Sequence, residues 1–107
     1  MRHLLLPLLL VGCGVNEDNF AARFARLYCS QAEECYEDEF DEEYDDFGEC
    51  LDDATAIMED TQDYFEALCE IDYDLATECY SDAKAMDCDE IEEGQQPDAC
   101  NRYVDCF

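Results

Sequence analysis

The sequence predicts a small all-α, disulfide-stapled helical bundle of four to five short helices. Apolar residues recur at steps of three and four through most of the chain, which is the spacing of one helical face. Several cysteines are spread along the same stretch, as in small exported domains that need covalent links. No run alternates between apolar and polar residues as a half-buried strand does. The 107 residues are enough for one domain with a small core.

The first residues have the layout of an export signal. A short positively charged stretch precedes an apolar run from Leu4 to Val11, and small residues follow. This run is too short to span a bilayer core, which requires about 20 residues. We therefore expect a signal peptide at residues 1–12, a lipid-anchored polar tether at residues 13–18 and an acidic, cysteine-rich helical domain at residues 19–107.

The residues at the end of this signal resemble the lipobox of bacterial lipoproteins. Leu10-Val11-Gly12-Cys13 matches its four positions: an aliphatic residue, a small or aliphatic residue, Gly or Ala, and a cysteine. The resemblance implies that a signal peptidase cuts before Cys13 and that this cysteine carries the lipid. Two or more acyl chains hold a protein firmly on a membrane. Gly14 stands where enteric lipoproteins of the inner membrane have Asp, which implies the outer membrane of the cell envelope.

Two helices are predicted on either side of a very acidic segment. The first starts near Asp18, a suitable N-cap, and keeps an apolar face as far as Tyr36. Seven of the nine residues at 37–45 are acidic. Asp46 and Glu49 then have the spacing of a capping box, which predicts that the second helix starts there.

The start of the second helix has an alternative, and the elements after it are shorter. Its apolar face extends backwards through Phe40 and Tyr44, which leaves a start near Asp41 open. Residues 61–68 are predicted to form a short helix or an ordered connection. In the remainder of the chain we predict a turn at Glu70–Asp74, a helix capped by Asp74, a polar loop at Cys88–Gln96 and a last short helix from Pro97 that carries Cys106.

The later part of the domain resembles a loose group of small, cysteine-rich lipoproteins from predatory gliding soil bacteria. The likeness rests on Tyr73-Asp74, Ala76, Cys79, Cys88-Asp89, Pro97, Cys100 and Val104. That group has no assigned activity. The resemblance therefore implies the location and the disulfide-linked helices, and it implies no chemistry.

Eight cysteines remain when Cys13 is set aside as the lipid anchor, and four disulfides are predicted for them. They are Cys29, Cys35, Cys50, Cys69, Cys79, Cys88, Cys100 and Cys106. Residues equally far from a connecting loop face each other in a helical hairpin, which predicts Cys35–Cys50 if the second helix starts at Asp46. A start near Asp41 predicts Cys29–Cys50 instead. The same reasoning predicts Cys88–Cys100, and the other partners are left open among many pairings.

Most catalytic chemistry is excluded by the residues that the chain lacks. His3 leaves with the signal peptide, so the mature chain has no histidine for a nucleophile–histidine site. No C-x-x-C occurs, which argues against zinc and thioredoxin-like sites. A carboxylate pair such as Glu49 and Asp52 leaves a glycosidase as the least favoured function. We interpret the protein as an interaction protein and not as an enzyme.

The charge of the chain restricts its partners. The net charge is −26, and it becomes −27 when Arg2 is removed with the signal peptide. Such a field repels nucleic acid and keeps the protein monomeric, so basic proteins or divalent cations are the expected partners and lipid on Cys13 is the contact with the membrane. Weak calcium binding is the alternative function. Its candidate ligands are Asp41, Glu43, Asp45, Asp46 and Glu49, although the glycine of an EF-hand loop is absent.

Overall fold

The predicted all-α, disulfide-stapled fold is confirmed by a computed structural model, which describes residues 14–106. In chain order the described elements are α1 (Phe20–Cys35), α2 (Glu37–Glu43), α3 (Phe47–Leu68), β1 (Cys69–Ile71), α4 (Tyr73–Lys84), α5 (Cys88–Glu92), a 3-10 helix (Asp98–Asn101) and β2 (Val104–Cys106). The predicted signal peptide and Cys13 lie outside the described residues.

The two longest helices, α1 and α3, pack against each other and form the body of the domain. Asp46 caps α3 as predicted, because its carboxylate accepts the N–H of Glu49 at 2.8 Å. α3 then continues to Leu68, where a separate element from Thr61 was predicted, since no glycine or proline interrupts it. No helix in the described part of the chain is long and apolar enough to cross a membrane.

Two helices start at carboxylates that the sequence prediction did not assign as caps. Asp72, and not Asp74, caps α4 by accepting the N–H groups of Asp74 and Leu75 at 3.0 and 3.1 Å. The predicted loop at Cys88–Gln96 contains α5. A complete capping box starts that helix: Asp87 accepts the N–H of Glu90 at 2.9 Å, and Glu90 accepts the N–H of Asp87 at 3.1 Å.

A small antiparallel pair of strands replaces the predicted turn after α3 and the end of the last predicted helix. Cys69 lies opposite Cys106 in the β1–β2 register, and a disulfide joins them. The N–H of Asp72 extends the pairing by donating to the carbonyl of Tyr103 at 2.8 Å. Strands of three residues are too short to show the alternation by which strands are recognised in a sequence.

All eight cysteines in the described part of the chain form disulfides, but two predicted pairs are wrong. The bonds are Cys29–Cys50, Cys35–Cys88, Cys69–Cys106 and Cys79–Cys100. Cys35–Cys50 and Cys88–Cys100 are therefore corrected, and the alternative Cys29–Cys50 is found.

The physical reason for the correction is helix α2. The prediction of Cys35–Cys50 assumed a plain loop between two helices. The connection instead contains α2, which buries Phe40 beside the Cys29–Cys50 bond. Cys35, the last residue of α1, is thereby directed to Cys88 at the first turn of α5.

Residues 14–18 pack on the domain, where the sequence predicted a tether. Val15 is buried, and its N–H donates to the Thr77 hydroxyl at 2.8 Å. The side-chain amide of Asn19 donates to the carbonyl of Gly14 at 3.0 Å, and α1 begins near Asp18 as predicted, with Asn19 as the residue before its first turn. We call residues 14–19 the N-terminal clasp. The prediction failed because it counted the polar residues of this segment and overlooked the one apolar side chain that fills a site on α4.

Two buried clusters lie toward opposite ends of α1. The buried cluster at the acidic end, which α2 covers, comprises Ala25, Cys29, Phe40, Cys50 and Ala54, with Ala32, Tyr44, Phe47, Leu51 and Met58 packed around them. The clasp end comprises Val15, Phe20 and Ala76, with Phe24, Tyr73, Tyr80 and Tyr103 packed around them.

Candidate functional site

The most acidic segment of the sequence forms helix α2 at the surface of the acidic end. Its first turn carries three acidic residues, at positions 37–39, where the partial positive charge of the helix N-terminus favours them. A helix of seven residues is not stable alone. Phe40 fixes it, because its side chain is 4% exposed and its ring lies against that of Tyr44, with centroids 5.4 Å apart. The carboxylates of α2 consequently remain in solvent.

An open cavity of about 260 Å³ lies beside α1 and α2. Its aromatic lining is Tyr28, Tyr36, Phe40 and Tyr44, and its carboxylates are Glu39 and Glu43. We call this cavity the tyrosine groove. The side chains of Tyr28 and Tyr36 are 53% and 37% exposed, so their rings are accessible to a ligand.

A second cavity, of about 300 Å³, continues the tyrosine groove onto α3. It shares Tyr28, Glu43 and Tyr44 with the first and extends to Asp53 and the exposed Ile57. The Tyr44 hydroxyl donates to a carboxylate oxygen of Asp53 at 3.3 Å. The two cavities therefore form one surface, in which aromatic and aliphatic groups alternate with carboxylates.

The surroundings of the groove are electrostatically negative. Burial raises the pKa of Tyr44, and the charges of Glu43 and Asp53 raise the same pKa further, because a phenolate there would stand beside two carboxylates. No lysine or arginine in the described part of the chain lines the groove. A cation that enters it meets unopposed negative charge.

The lysine and arginine side chains of the described residues lie against groups outside the tyrosine groove. Arg23 and Lys84 stand over the ring of Tyr80, at 5.6 and 5.9 Å from its centroid. Arg26 stands over the ring of Phe47 at 5.9 Å. Three of the four cations in the described residues are thus placed within the distance at which an aromatic face attracts a positive charge.

The predicted calcium ligands are not gathered into one site. Within residues 14–106, no three of the carboxylates of Asp41, Glu43, Asp45, Asp46 and Glu49 place oxygens within 4.8 Å of one another. Asp46 and Glu49 instead accept backbone N–H groups at the start of α3. Among these residues, the group that does meet that distance is Glu34, Cys35 and Cys88. The sulfurs of the two cysteines are joined in a disulfide and offer no thiolate to a metal ion.

The carboxylate pair that sequence reasoning weighed for catalysis lies on an exposed helix face. Glu49 and Asp52 are exposed in the first turns of α3. Neither of them lines the tyrosine groove or its continuation onto α3.

Sequence reasoning named Glu43 of the groove as a candidate ligand, but it did not identify Tyr28 and Tyr36 as functional residues. The predicted apolar face of the first helix runs as far as Tyr36 and includes Tyr28, but both residues are exposed in the structure. The signal that could have identified them is the regular spacing of Tyr28, Tyr36 and Tyr44, eight residues apart, beside the most acidic segment.

No protein-family model matches the chain, and comparison with characterised proteins and with solved structures gives no significant match. A function is therefore inferred from the geometry of the groove and the charge of the chain.

Proposed function

We propose that this chain is an exported lipoprotein of the bacterial cell envelope, anchored through Cys13, that binds a basic protein and is not an enzyme. The lipobox-like residues at 10–13 support the anchor. The four disulfides suit the oxidising compartment beyond the inner membrane. Gly14 favours the outer membrane over the inner one.

One observation carries the binding proposal: the tyrosine groove lies in a surface whose carboxylates have too few cations to neutralise them. All 31 acidic residues follow position 16, and the cations beyond that point are Arg23, Arg26, Lys84 and Arg102. Arg102 is paired with Asp98 at 2.8 Å, outside the groove. Most carboxylates are therefore balanced only by solvent ions, and a basic protein surface is the complementary partner.

The arrangement of the clasp and the groove also suits an anchored binding protein. The clasp is adjacent to Cys13 in sequence, and it packs at the start of α1. The groove lies along the later half of α1, a helix ~24 Å long at 1.5 Å per residue. A lipid on Cys13 would hold the clasp end against the membrane and direct the acidic end away from anionic headgroups, which would repel it.

The anchor is tested by mass spectrometry of the membrane fraction. The mature chain is expected to begin at an acylated Cys13, and Cys13→Ser is expected to leave an uncut or soluble product. A mature N-terminus at any other residue contradicts the proposed anchor.

Partner chemistry is tested with fluorescent octalysine, titrated with the acylated mature chain in detergent. Raising NaCl from about 0.1 to about 1 M shortens the Debye length from about 10 to about 3 Å, so binding is expected to weaken at least tenfold. Octaglutamate serves as the charge-reversed control. An absence of octalysine binding at the lower salt concentration contradicts the proposed function.

The calcium alternative predicts a different result in the same preparation. If the acidic segment selected calcium, millimolar calcium would raise the melting temperature of the chain, and the same concentration of magnesium would not. Binding to basic partners requires no such selectivity, so equal effects of the two ions are expected.

A further inference from the structure

The tyrosine groove is large enough for one long side chain. Its volume is about 260 Å³, and a second cavity of about 300 Å³ continues it along the surface onto α3. It is also open to solvent along one side, where Tyr28 and Tyr36 expose their rings. A ligand that projects one side chain from a larger surface can fill such a cavity, whereas a small molecule would leave much of its own surface in water.

The lining of the groove has two parts that match the two parts of a long basic side chain. The rings of Tyr28, Tyr36 and Phe40 offer apolar and aromatic surface to a hydrocarbon stem. The carboxylates of Glu39 and Glu43 lie in the same lining and attract a cationic head. A neutral apolar side chain would use the rings and leave these carboxylates partly desolvated without a partner, which disfavours it.

We propose that the tyrosine groove binds a lysine or arginine side chain projecting from the basic partner. The stem lies against Tyr28 and Tyr36, and the charged head lies between these rings and the carboxylates of Glu39 and Glu43. This inference rests on the proposed function and deepens it by naming the contact. The contacts of Arg23, Arg26 and Lys84 with Tyr80 and Phe47 are the same type of contact within the chain.

Octalysine binding by variants of the acylated mature chain tests the inference. Tyr28→Leu with Tyr36→Leu keeps apolar bulk in the groove and removes the aromatic faces. Two exposed cation–π contacts correspond to a factor of about ten in affinity, and that loss is expected. The control is Tyr64→Leu, which removes a tyrosine of similar exposure (60%) from α3 outside the groove and is expected to bind as the wild type does.

A second pair of variants separates the groove from the overall charge. Glu39→Gln with Glu43→Gln and Glu59→Gln with Glu78→Gln change the net charge by the same amount, and all four residues are exposed. Long-range attraction should fall equally in both. The groove pair is expected to lose at least threefold more affinity, because only this pair removes carboxylates that lie beside the bound cation.

These experiments distinguish a failure of the groove inference from a failure of the proposed function. If the wild type binds octalysine but the tyrosine pair binds equally well, the groove inference is overturned and the proposed function stands. If the wild type binds a neutral leucine-rich peptide better than octalysine, the occupant is apolar and the inference is also overturned. If the wild type does not bind octalysine, both proposals fail. Circular dichroism of each variant checks that the fold is retained, and Tyr28→Phe with Tyr36→Phe, which keeps both rings, is expected to restore wild-type affinity.

Discussion

The acidic end and the clasp end of the domain are stabilised by different means. At the acidic end, the five buried residues are two alanines, Phe40 of α2 and the two cysteines of the fully buried Cys29–Cys50 bond. Half-buried residues pack around them: Ala32, Tyr44, Phe47, Leu51 and Met58. At the clasp end, contacts between aromatic rings stabilise the fold. Phe24 stacks on Tyr103 with centroids 6.1 Å apart and meets the edge of Tyr80 at 5.7 Å.

This difference explains how a very acidic surface is tolerated next to a folded core. Repulsion between the carboxylates of α2 opposes the compact state at the acidic end. A disulfide restricts the unfolded chain whatever the charge of its neighbours. The acidic end can therefore carry α2 and the tyrosine groove, whereas the clasp end, with stronger aromatic packing, fixes the residues that follow Cys13.

The largest expected effect comes from removing one disulfide at each end. Cys29–Cys50 and Cys79–Cys100 have the same sequence separation of 21 residues, so loop closure predicts a loss of about 3 kcal/mol for either pair changed to alanine. The loss should be greater for Cys29→Ala with Cys50→Ala, because both cysteines are fully buried and repulsion between the carboxylates of α2 opposes folding at the same end.

Urea unfolding followed by circular dichroism measures both variants. Equal or greater destabilisation by Cys79→Ala with Cys100→Ala would mean that the aromatic residues near that bond do not compensate for its loss. The contrast between the two ends would then be wrong.

A smaller effect is expected from opening the N-terminal clasp. The Thr77 hydroxyl accepts the Val15 N–H and lies 2.9 Å from the carbonyl of Tyr73, to which it donates. Thr77→Val leaves Val15 without that acceptor and is expected to cost about 1 kcal/mol and to accelerate amide exchange at Val15. Thr61→Val is the matched control, since the Thr61 hydroxyl bonds only within α3 to the carbonyl of Ile57 among the contacts described.

The clasp variant also tests whether the two ends are independent. Octalysine affinity should be unchanged in Thr77→Val, because the clasp lies outside the tyrosine groove. A several-fold loss of affinity would show that the ends are coupled.

The smallest effect concerns alkaline pH at the clasp end. Burial raises the pKa of Tyr73 to about 12, and its hydroxyl donates to Glu66 at 2.8 Å and accepts from Gln62 at 3.0 Å. An unfolded tyrosine ionises near 10, so the folded state holds this proton more tightly. The resulting stability is fully present below pH of about 10 and is lost as the pH rises to about 12.

The pH effect is measured as the fall in melting temperature between these two pH values. Tyr73→Phe keeps the ring and removes the ionising group, so this variant should show a smaller fall than the wild type. Tyr64→Phe changes an exposed tyrosine and should fall as the wild type does. An identical fall in Tyr73→Phe and the wild type would contradict the role assigned to Tyr73.

The sequence predicted those features that depend on neighbouring residues. The helical spacing of apolar side chains and the cap at Asp46 are local, and both are found. The pairing of Cys35 and Cys88 was not predictable in this way, because it depends on the path of the chain through α2 and α5. The packing of Val15 on α4 joins residues 62 positions apart. A sequence pattern that spans a few neighbouring residues cannot indicate such a contact.

For the tyrosine groove too, the sequence predicted the local features but not the ones that depend on tertiary packing. The acidity of residues 37–45 was evident, but the positions of Tyr28 and Tyr36 were not. Helical spacing assigns a tyrosine to an apolar face without deciding whether another element covers that face. Only the placement of α2 beside α1 shows that both rings stay accessible.

The central claim is that one end of this molecule is a cation-binding surface and the other end is not. The most direct test is two-dimensional NMR of the isotope-labelled mature chain in detergent micelles, titrated with octalysine. The account predicts saturable shifts at the amides of Tyr28, Tyr36 and Glu39, with Val15 and Thr77 unchanged. Shifts of equal size at both ends, or shifts confined to the clasp end, would contradict it.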